Sequence, residues 1–311
     1  MKVLITGAAG MLGGGLLRKL EGQAAFEAKG LTRSNLDLRD QLSFERELNE
    51  FRPDLVIHAA AKVGGIQANI SQPVDFLAAN LQMDSNVITT CLANGVRNFI
   101  YIGSSCMYPK DYRQPLVESD ILMAPLEPTN EGYAIAKIAG SKLCEYASRS
   151  LDVNYKTLIP SNLYGPGDNF NPSSSHLLAS IIRKVHEAKV AGSSEISVWG
   201  SGEARREFTF IEDLTDWIIG SMDKIATWPD RLNLGIGVDY SVNEFYAAAL
   251  AELSVDARLT HDLTKPEGMK AKLMDSSLAS QNYGWAPKTD IRLGIRKTYD
   301  WFIRQQEMEK A

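Results

Sequence analysis

Cysteine is scarce in this chain. Cys91, Cys106 and Cys144 are the only three in 311 residues, an odd set with no repeating spacing, which argues against a disulfide framework. Four histidines, His58, His176, His186 and His261, form no metal-ligand pattern, so no metal is expected. No apolar run approaches the roughly 20 residues that span a bilayer. The opening apolar run, Val3 to Ile5, is too short for a signal-peptide core. A basic surplus is missing as well: the net charge is -5, which excludes a general affinity for nucleic acid. These absences together lead us to expect a cytoplasmic chain with neither nucleic acid nor membrane as a partner.

The remaining composition is that of an ordinary globular protein, 44 % hydrophobic and 23 % charged. Its length suits one large domain or two modest ones. Residues 2–6, 28–32, 54–61, 97–104 and 155–159 read as strands. Residues 11–20, 40–51, 74–94 and 133–150 read as helices, the third stopped by Asn94-Gly95. This alternation predicts an α/β fold with a doubly wound parallel sheet, whose ligands sit at the carboxyl ends of the strands. After Pro160 comes a loop at 162–175 rich in Asn, Gly, Pro and Ser, followed by an amphipathic helix at 175–190. The expected division is a dinucleotide-binding Rossmann domain over 1–160 plus about 208–236. A smaller mixed α/β substrate lobe covers 161–207 and 237–311.

Gly7-Ala8-Ala9-Gly10-Met11-Leu12-Gly13 lies between the first strand and the first helix. Gly7, Gly10 and Gly13 would permit a tight turn and let backbone approach a pyrophosphate at the positive end of that helix. Arg33, past the second strand, favours the 2′-phosphate of NADP over the hydroxyl of NAD, or is a solvated loop charge. Asp37 and Leu38 are placed to meet an adenine edge, with a turn acid before a helix as the plainer reading.

Ser104 ends an apolar strand, and Tyr133 and Lys137 stand four apart on one helix face. A free phenol titrates near pH 10. A nearby ammonium stabilises the phenolate, so such a tyrosine can give a proton to a ketone that receives hydride. Ser104 would hold the carbonyl. A Tyr/Lys pair is also a common helical ion-dipole contact, and the glycine turn and Ser104 favour the catalytic reading.

The glycine turn, Ser104 and Tyr133-Ala134-Ile135-Ala136-Lys137 resemble the extended short-chain dehydrogenase/reductases. Within them, five longer segments are similar to the GDP-L-fucose synthase group. They are Ala60-Ala61-Lys62-Val63-Gly64-Gly65-Ile66, Gly103-Ser104-Ser105-Cys106-Met107-Tyr108-Pro109-Lys110, Glu127-Pro128-Thr129-Asn130-Glu131-Gly132-Tyr133-Ala134-Ile135-Ala136-Lys137, Asn162-Leu163-Tyr164-Gly165-Pro166-Gly167-Asp168-Asn169-Phe170 and Trp199-Gly200-Ser201-Gly202. The resemblance implies a homodimer that pairs the helices at 74–94 and 133–150. It also implies a GDP-linked 4-keto-6-deoxy sugar as substrate and NADPH as cofactor. Met11, Leu12, Ala60, Lys137 and His176 would join the glycines against that cofactor.

Cys106 and His176 fall where this group carries an epimerising pair. A C4 ketone acidifies the hydrogens at C3 and C5, and both side chains titrate near enough to neutrality to exchange them. Taken alone, Cys106 reads as a small buried hydrophobe and His176 as a helix cap. Arg183, seven residues beyond His176 and on the same helix face, is placed for a diphosphate, with Lys184 as its alternate. The resemblance adds Arg206 and Lys272 as substrate cations, and Asn162 and Trp199 as walls for sugar and base. Ala9, Asn171 and Ser174 depart from the group's usual residues. Those departures keep two related reactions open, a GDP-L-colitose synthase on a 3-deoxy sugar and a GDP-6-deoxy-4-keto-heptose reductase. A 4,6-dehydratase would show Asp-Glu where Ser105-Cys106 stands. A non-catalytic NADP sensor would show a broken Ser/Tyr/Lys set, and here all three are present.

Overall fold

Uninterrupted apolar runs bury both faces of a strand, because successive side chains point to opposite sides. In the computed structural model, which describes residues 1–172, 174–265 and 268–310, this is how the inner strands of the central sheet are built. Its strands β1 (Lys2–Thr6), β2 (Glu27–Leu31), β3 (Leu55–His58), β4 (Asn98–Ile102) and β5 (Asn154–Pro160) run parallel. Arg231–Leu234 pairs parallel with β5 and completes six strands. The order is Arg231–Leu234, β5, β4, β3, β1, β2. Val3, Ile5, Ile57 and Ile100 pack on one face, while Leu4, Val56, Phe99 and Tyr155 pack on the other.

Helices cover both faces. The first face receives α1 (Met11–Leu20) through Leu12 and Leu16, together with Ile211–Ser221 through Leu214 and Ile218. The second receives α2 (Gln41–Phe51), opened by the Asp40 side chain accepting from the Ser43 amide at 3.2 Å. Phe44 and Leu48, one turn apart, are its buried face. A short α3 (Ile66–Ser71) precedes α4 (Pro73–Ala93), which starts on a proline suited to a first helical turn. Further along, α4 packs along α5 (Glu131–Ser150). No helix among the described residues is long and apolar enough to cross a membrane.

Two local readings change. Residues 162–175 are not loop throughout, because Asn162–Tyr164 forms a strand parallel to Phe208–Phe210. Phe208–Phe210 therefore pairs there and not in the central sheet; the helix after it is what returns to the sheet face. The amphipathic helix is α6 (Leu177–Ala191), with His176 at its N-cap and Gly192 ending it at a φ of 64°. Leu178, Ile181, Ile182 and Val185 bury against Val198, Phe208 and Phe245, forming a third core beyond the sheet.

The order places β2 on one side of β1 and β3 on the other. The crossover reverses there, opening a crevice at the carboxyl ends of β1 and β3. Phe44, fully buried between α2 and the sheet, measures how firmly that face is packed. Phe44→Ala should lower the unfolding free energy by about 3–5 kcal/mol, read from urea denaturation.

Candidate active site

Gly7 ends β1 at a φ of 71°, and a Cβ there would stand 2.7 Å from the backbone nitrogen of Ala60. A Cβ at Gly13 would stand 2.4 Å from the Gly7 carbonyl oxygen. Neither position admits a side chain. The result is a cradle of bare backbone beneath the N-terminus of α1. Gly10 caps that terminus with no side-chain bond, so the first-turn amides of Met11, Leu12 and Gly13 remain available to an anion. Gly167 closes the cradle from the other side, its missing Cβ 3.3 Å from Met11 Cα. These features fit a dinucleotide pyrophosphate.

Beside the cradle, Arg33 is exposed, whereas Asp37 is clamped by Arg39 at 2.6 Å. That hydrogen bond holds the Asp37 carboxyl down at about 2. Leu38 is buried against the sheet. Arg39 is a second exposed cation at this turn that the sequence reading passed over; its only signal was proximity to Asp37.

At the carboxyl end of β4, Ser104 caps a single 3-10 turn, its Oγ accepting from the Cys106 amide at 3.2 Å. Burial pushes the Tyr133 phenol well up, Cys106 and Asp84 add to that, and the Ser104 side chain opposes it. Lys137, one turn on, is 2 % exposed. Its ammonium lies 3.8 Å from an Asp84 carboxylate oxygen and 4.4 Å from the centre of the Tyr101 ring.

Cys106 is half-buried, and its sulfur accepts from Asn130 Nδ2 at 3.2 Å. Asn130 was missed by the sequence reading, although it stands in a quoted segment; nothing in its spacing linked it to Cys106. Its own Oδ1 is buried without a partner, as is suited to a group that meets a ligand. His176 makes no capping bond, so capping does not explain it. Burial holds its imidazole below the ordinary value, hence neutral at physiological pH. The Ser175 carbonyl lies against Gly65, 3.3 Å from where a Cβ would be.

The cations split into two groups. On α6, Arg183 bonds Glu187 at 2.5 Å while its Nε is buried and unpartnered. Lys184 donates to the Ser197 carbonyl at 2.8 Å, and burial lowers its pKa. Trp199, half exposed, has Lys184 and Lys265 over its ring at 6.0 and 5.6 Å. Asn162 donates to the Glu207 carbonyl at 3.0 Å. Arg206 donates to the Arg205 carbonyl at 2.7 Å and pairs in register with Lys272. Lys272 is buried, not on the surface; burial lowers its pKa, which the nearby Cys106 opposes.

An open parallel sheet with this cradle at its switch point, and a serine, tyrosine and lysine at the neighbouring strand end, defines a dinucleotide-dependent enzyme of carbonyl chemistry. The chain belongs to the NAD dependent epimerase/dehydratase family, which it matches over residues 3–235. It is 42 % identical over 307 residues to a GDP-L-colitose synthase of Yersinia pseudotuberculosis, covering 98 % of this chain and 99 % of that one. It is 43 % identical over 307 residues to a GDP-L-fucose synthase of Azorhizobium caulinodans, covering 99 % and 98 %. A GDP-mannoheptose C4 reductase from Campylobacter jejuni, solved with NADP bound, superposes with a TM-score of 0.88 at 30 % identity, covering 97 % and 98 %.

One acid beside the cradle was not singled out. Asp168 is 8 % exposed and its Oδ2 has no partner. Burial raises its pKa from 3.8 to about 7. The folded state therefore holds this proton more tightly than the unfolded chain. Its stability contribution is full below the unfolded value and is lost as pH rises to about 7. Asp168→Asn should remove that fall. In thermal or urea unfolding the variant should exceed the wild type by about 2–4 kcal/mol near pH 8, and the gap should close toward pH 4.

Proposed function

We propose that this chain converts GDP-4-keto-6-deoxy-D-mannose to GDP-L-fucose with NADPH, exchanging protons at C3 and C5 before reducing C4. The observation that carries this reading is Cys106. It stands two residues beyond Ser104, holds a hydrogen bond from Asn130 at 3.2 Å, and acts electrostatically on Tyr133. A plain reductase needs no thiol there. The fucose and colitose synthases among the relatives support the same chemistry.

In this reading Gly7, Gly10, Met11, Leu12 and Gly13 hold the cofactor pyrophosphate. Arg33, with Arg39, meets the 2′-phosphate, while Asp37 and Leu38 border the adenine. Ala60, Lys137 and His176 border the nicotinamide end. Arg183 or Lys184, with Arg206 and Lys272, neutralises the GDP diphosphate, and Trp199 and Asn162 wall the base and sugar. The segments 161–207 and 237–311 form the substrate lobe over the Rossmann domain of 1–160 and about 208–236.

Cys106 and His176 take a proton from C5, and from C3, and return one to the opposite face. The electron pair left on carbon is held on the C4 oxygen, which accepts a hydrogen bond from the Ser104 hydroxyl. NADPH, when bound, supplies the hydride for C4. Tyr133 gives its proton to the C4 oxygen, and the Lys137 charge stabilises the phenolate that remains. Burial disfavours that phenolate, and a neighbouring ammonium offsets the penalty.

A second reading, a GDP-L-colitose synthase on the 3-deoxy substrate, is favoured by the Yersinia relative; it needs exchange at C5 alone. A GDP-heptose reductase, favoured by the Campylobacter neighbour, would reduce C4 without exchange. The enzyme works in the cytoplasm as a homodimer along α4 and α5, where Val74, Ile135 and Tyr146 are exposed at 74, 42 and 57 %.

Two variants separate the steps. Cys106→Ser should lose uptake of solvent deuterium into the keto sugar while retaining NADPH binding. Tyr133→Phe should keep that uptake and lose reduction by about 10²–10⁴-fold. Unchanged uptake in Cys106→Ser would remove the thiol from the mechanism.

A further inference from the structure

Beneath Tyr133 and Lys137 lies a closed set of polar side chains. Asp84, on α4, is 1 % exposed. One of its carboxylate oxygens accepts from His58 Nε2 at 2.9 Å; the other accepts from the Tyr101 hydroxyl and faces the Lys137 ammonium at 3.8 Å. His58 and Tyr101 are fully buried. His58 reaches on through Nδ1 to Thr6 Oγ1 at 2.7 Å, and that hydroxyl accepts from the Ala60 amide at 3.3 Å. The set thus ties the strand ends that flank the cradle to the helix that carries Tyr133.

An isolated ammonium in such surroundings would shed its proton. Burial does lower the Lys137 pKa, and Asp84 is the largest influence that opposes it. Burial would raise Asp84, but Lys137, His58 and Tyr101 outweigh it and keep the carboxyl low. Burial lowers the His58 pKa, leaving the ring neutral. The other titratable groups around Lys137 are Tyr101, Cys144, Cys91 behind Cys144, and Tyr133. Burial drives all four upward, so each is neutral. Asp84 is then the sole anion that faces the ammonium among these groups.

We propose that Asp84 is the positioning residue for the reduction: its carboxylate holds Lys137 charged and aimed along α5, and through Lys137 it sets how readily Tyr133 releases its proton. The inference rests on the roles given above to Tyr133 and Lys137. It assigns Asp84 no contact with substrate, and it leaves the Cys106 and His176 exchange independent of Asp84.

The test is Asp84→Asn, which keeps the size of the side chain and removes its charge. NADPH oxidation with GDP-4-keto-6-deoxy-mannose is measured from about pH 6 to about pH 9, alongside solvent deuterium uptake. A neutral partner lowers the pH at which Lys137 loses its proton. Reduction should therefore fall at least about tenfold near pH 8 and recover toward pH 6, since one pKa unit is a factor of ten in ionisation. Deuterium uptake should stay within about twofold of wild type, and Asp84→Glu should return the alkaline limb toward its original place. Loss of both activities with an unmoved pH profile would overturn the proposal in favour of a structural role, and so would unchanged reduction. Should the single variant not fold, Lys137→Met is compared with Asp84→Asn/Lys137→Met, which buries no unpaired charge. The double variant should reduce no more slowly than Lys137→Met, because the Asp84 charge by itself opposes the Tyr133 phenolate; a further tenfold loss in the double variant would show that Asp84 aids reduction apart from Lys137 and would overturn the proposal. A wild type that reduces no GDP-4-keto sugar would instead refute the proposed function, leaving the Asp84 inference without its premise and therefore rejected with it.

Discussion

The carboxyl edge of the sheet depends on one close approach, that of Gly7 to the backbone of Ala59 and Ala60. Because no side chain fits between β1 and β3 at that point, the two strand ends share one crevice wall. Thr6 and His58, the last residues of those strands, are bonded at 2.7 Å just behind it. From His58 the contacts run to Asp84 and from Asp84 to Lys137. The cradle and Lys137 are thus joined by one line of buried contacts.

Burial sets the electrostatics of this unit. It raises the Tyr133 phenol, lowers His176, and lowers Lys137 against the pull of Asp84. A site that expels water strengthens each charge it keeps, so the few that remain carry great weight. Lys137 keeps Asp84 within 3.8 Å, and Lys272 lies in register with Arg206. The neutral His176 and the half-buried Cys106, bonded by Asn130, fit proton exchange better than charge stabilisation.

Much of the fold was legible in the sequence where the local signal was strong. The strand at 2–6 and the helix at 11–20 have the expected bounds, because a β-branched run, a glycine turn and a helical period follow one another directly. The parallel sheet followed from strand and helix alternation. The strand at Asn162–Tyr164 was not legible, since three residues among glycine and proline carry no period and owe their form to Phe208–Phe210. In the site, Tyr133 and Lys137 were visible as a pair four apart, and Ser104 as a strand end. Asp84 was invisible: it is an unremarked acid in a long helix, and only tertiary packing of α4 on α5 brings it to Lys137. Asn130 stayed hidden for the same reason, its meaning lying in a contact with Cys106.

The central claim is that epimerisation and reduction occur on one GDP-linked keto sugar. It is tested most directly by proton NMR of the product that wild-type enzyme makes from GDP-4-keto-6-deoxy-mannose and NADPH in deuterated water. The account predicts an L-galacto product with deuterium at C3 and C5. A reduced product with no deuterium at either carbon would contradict it.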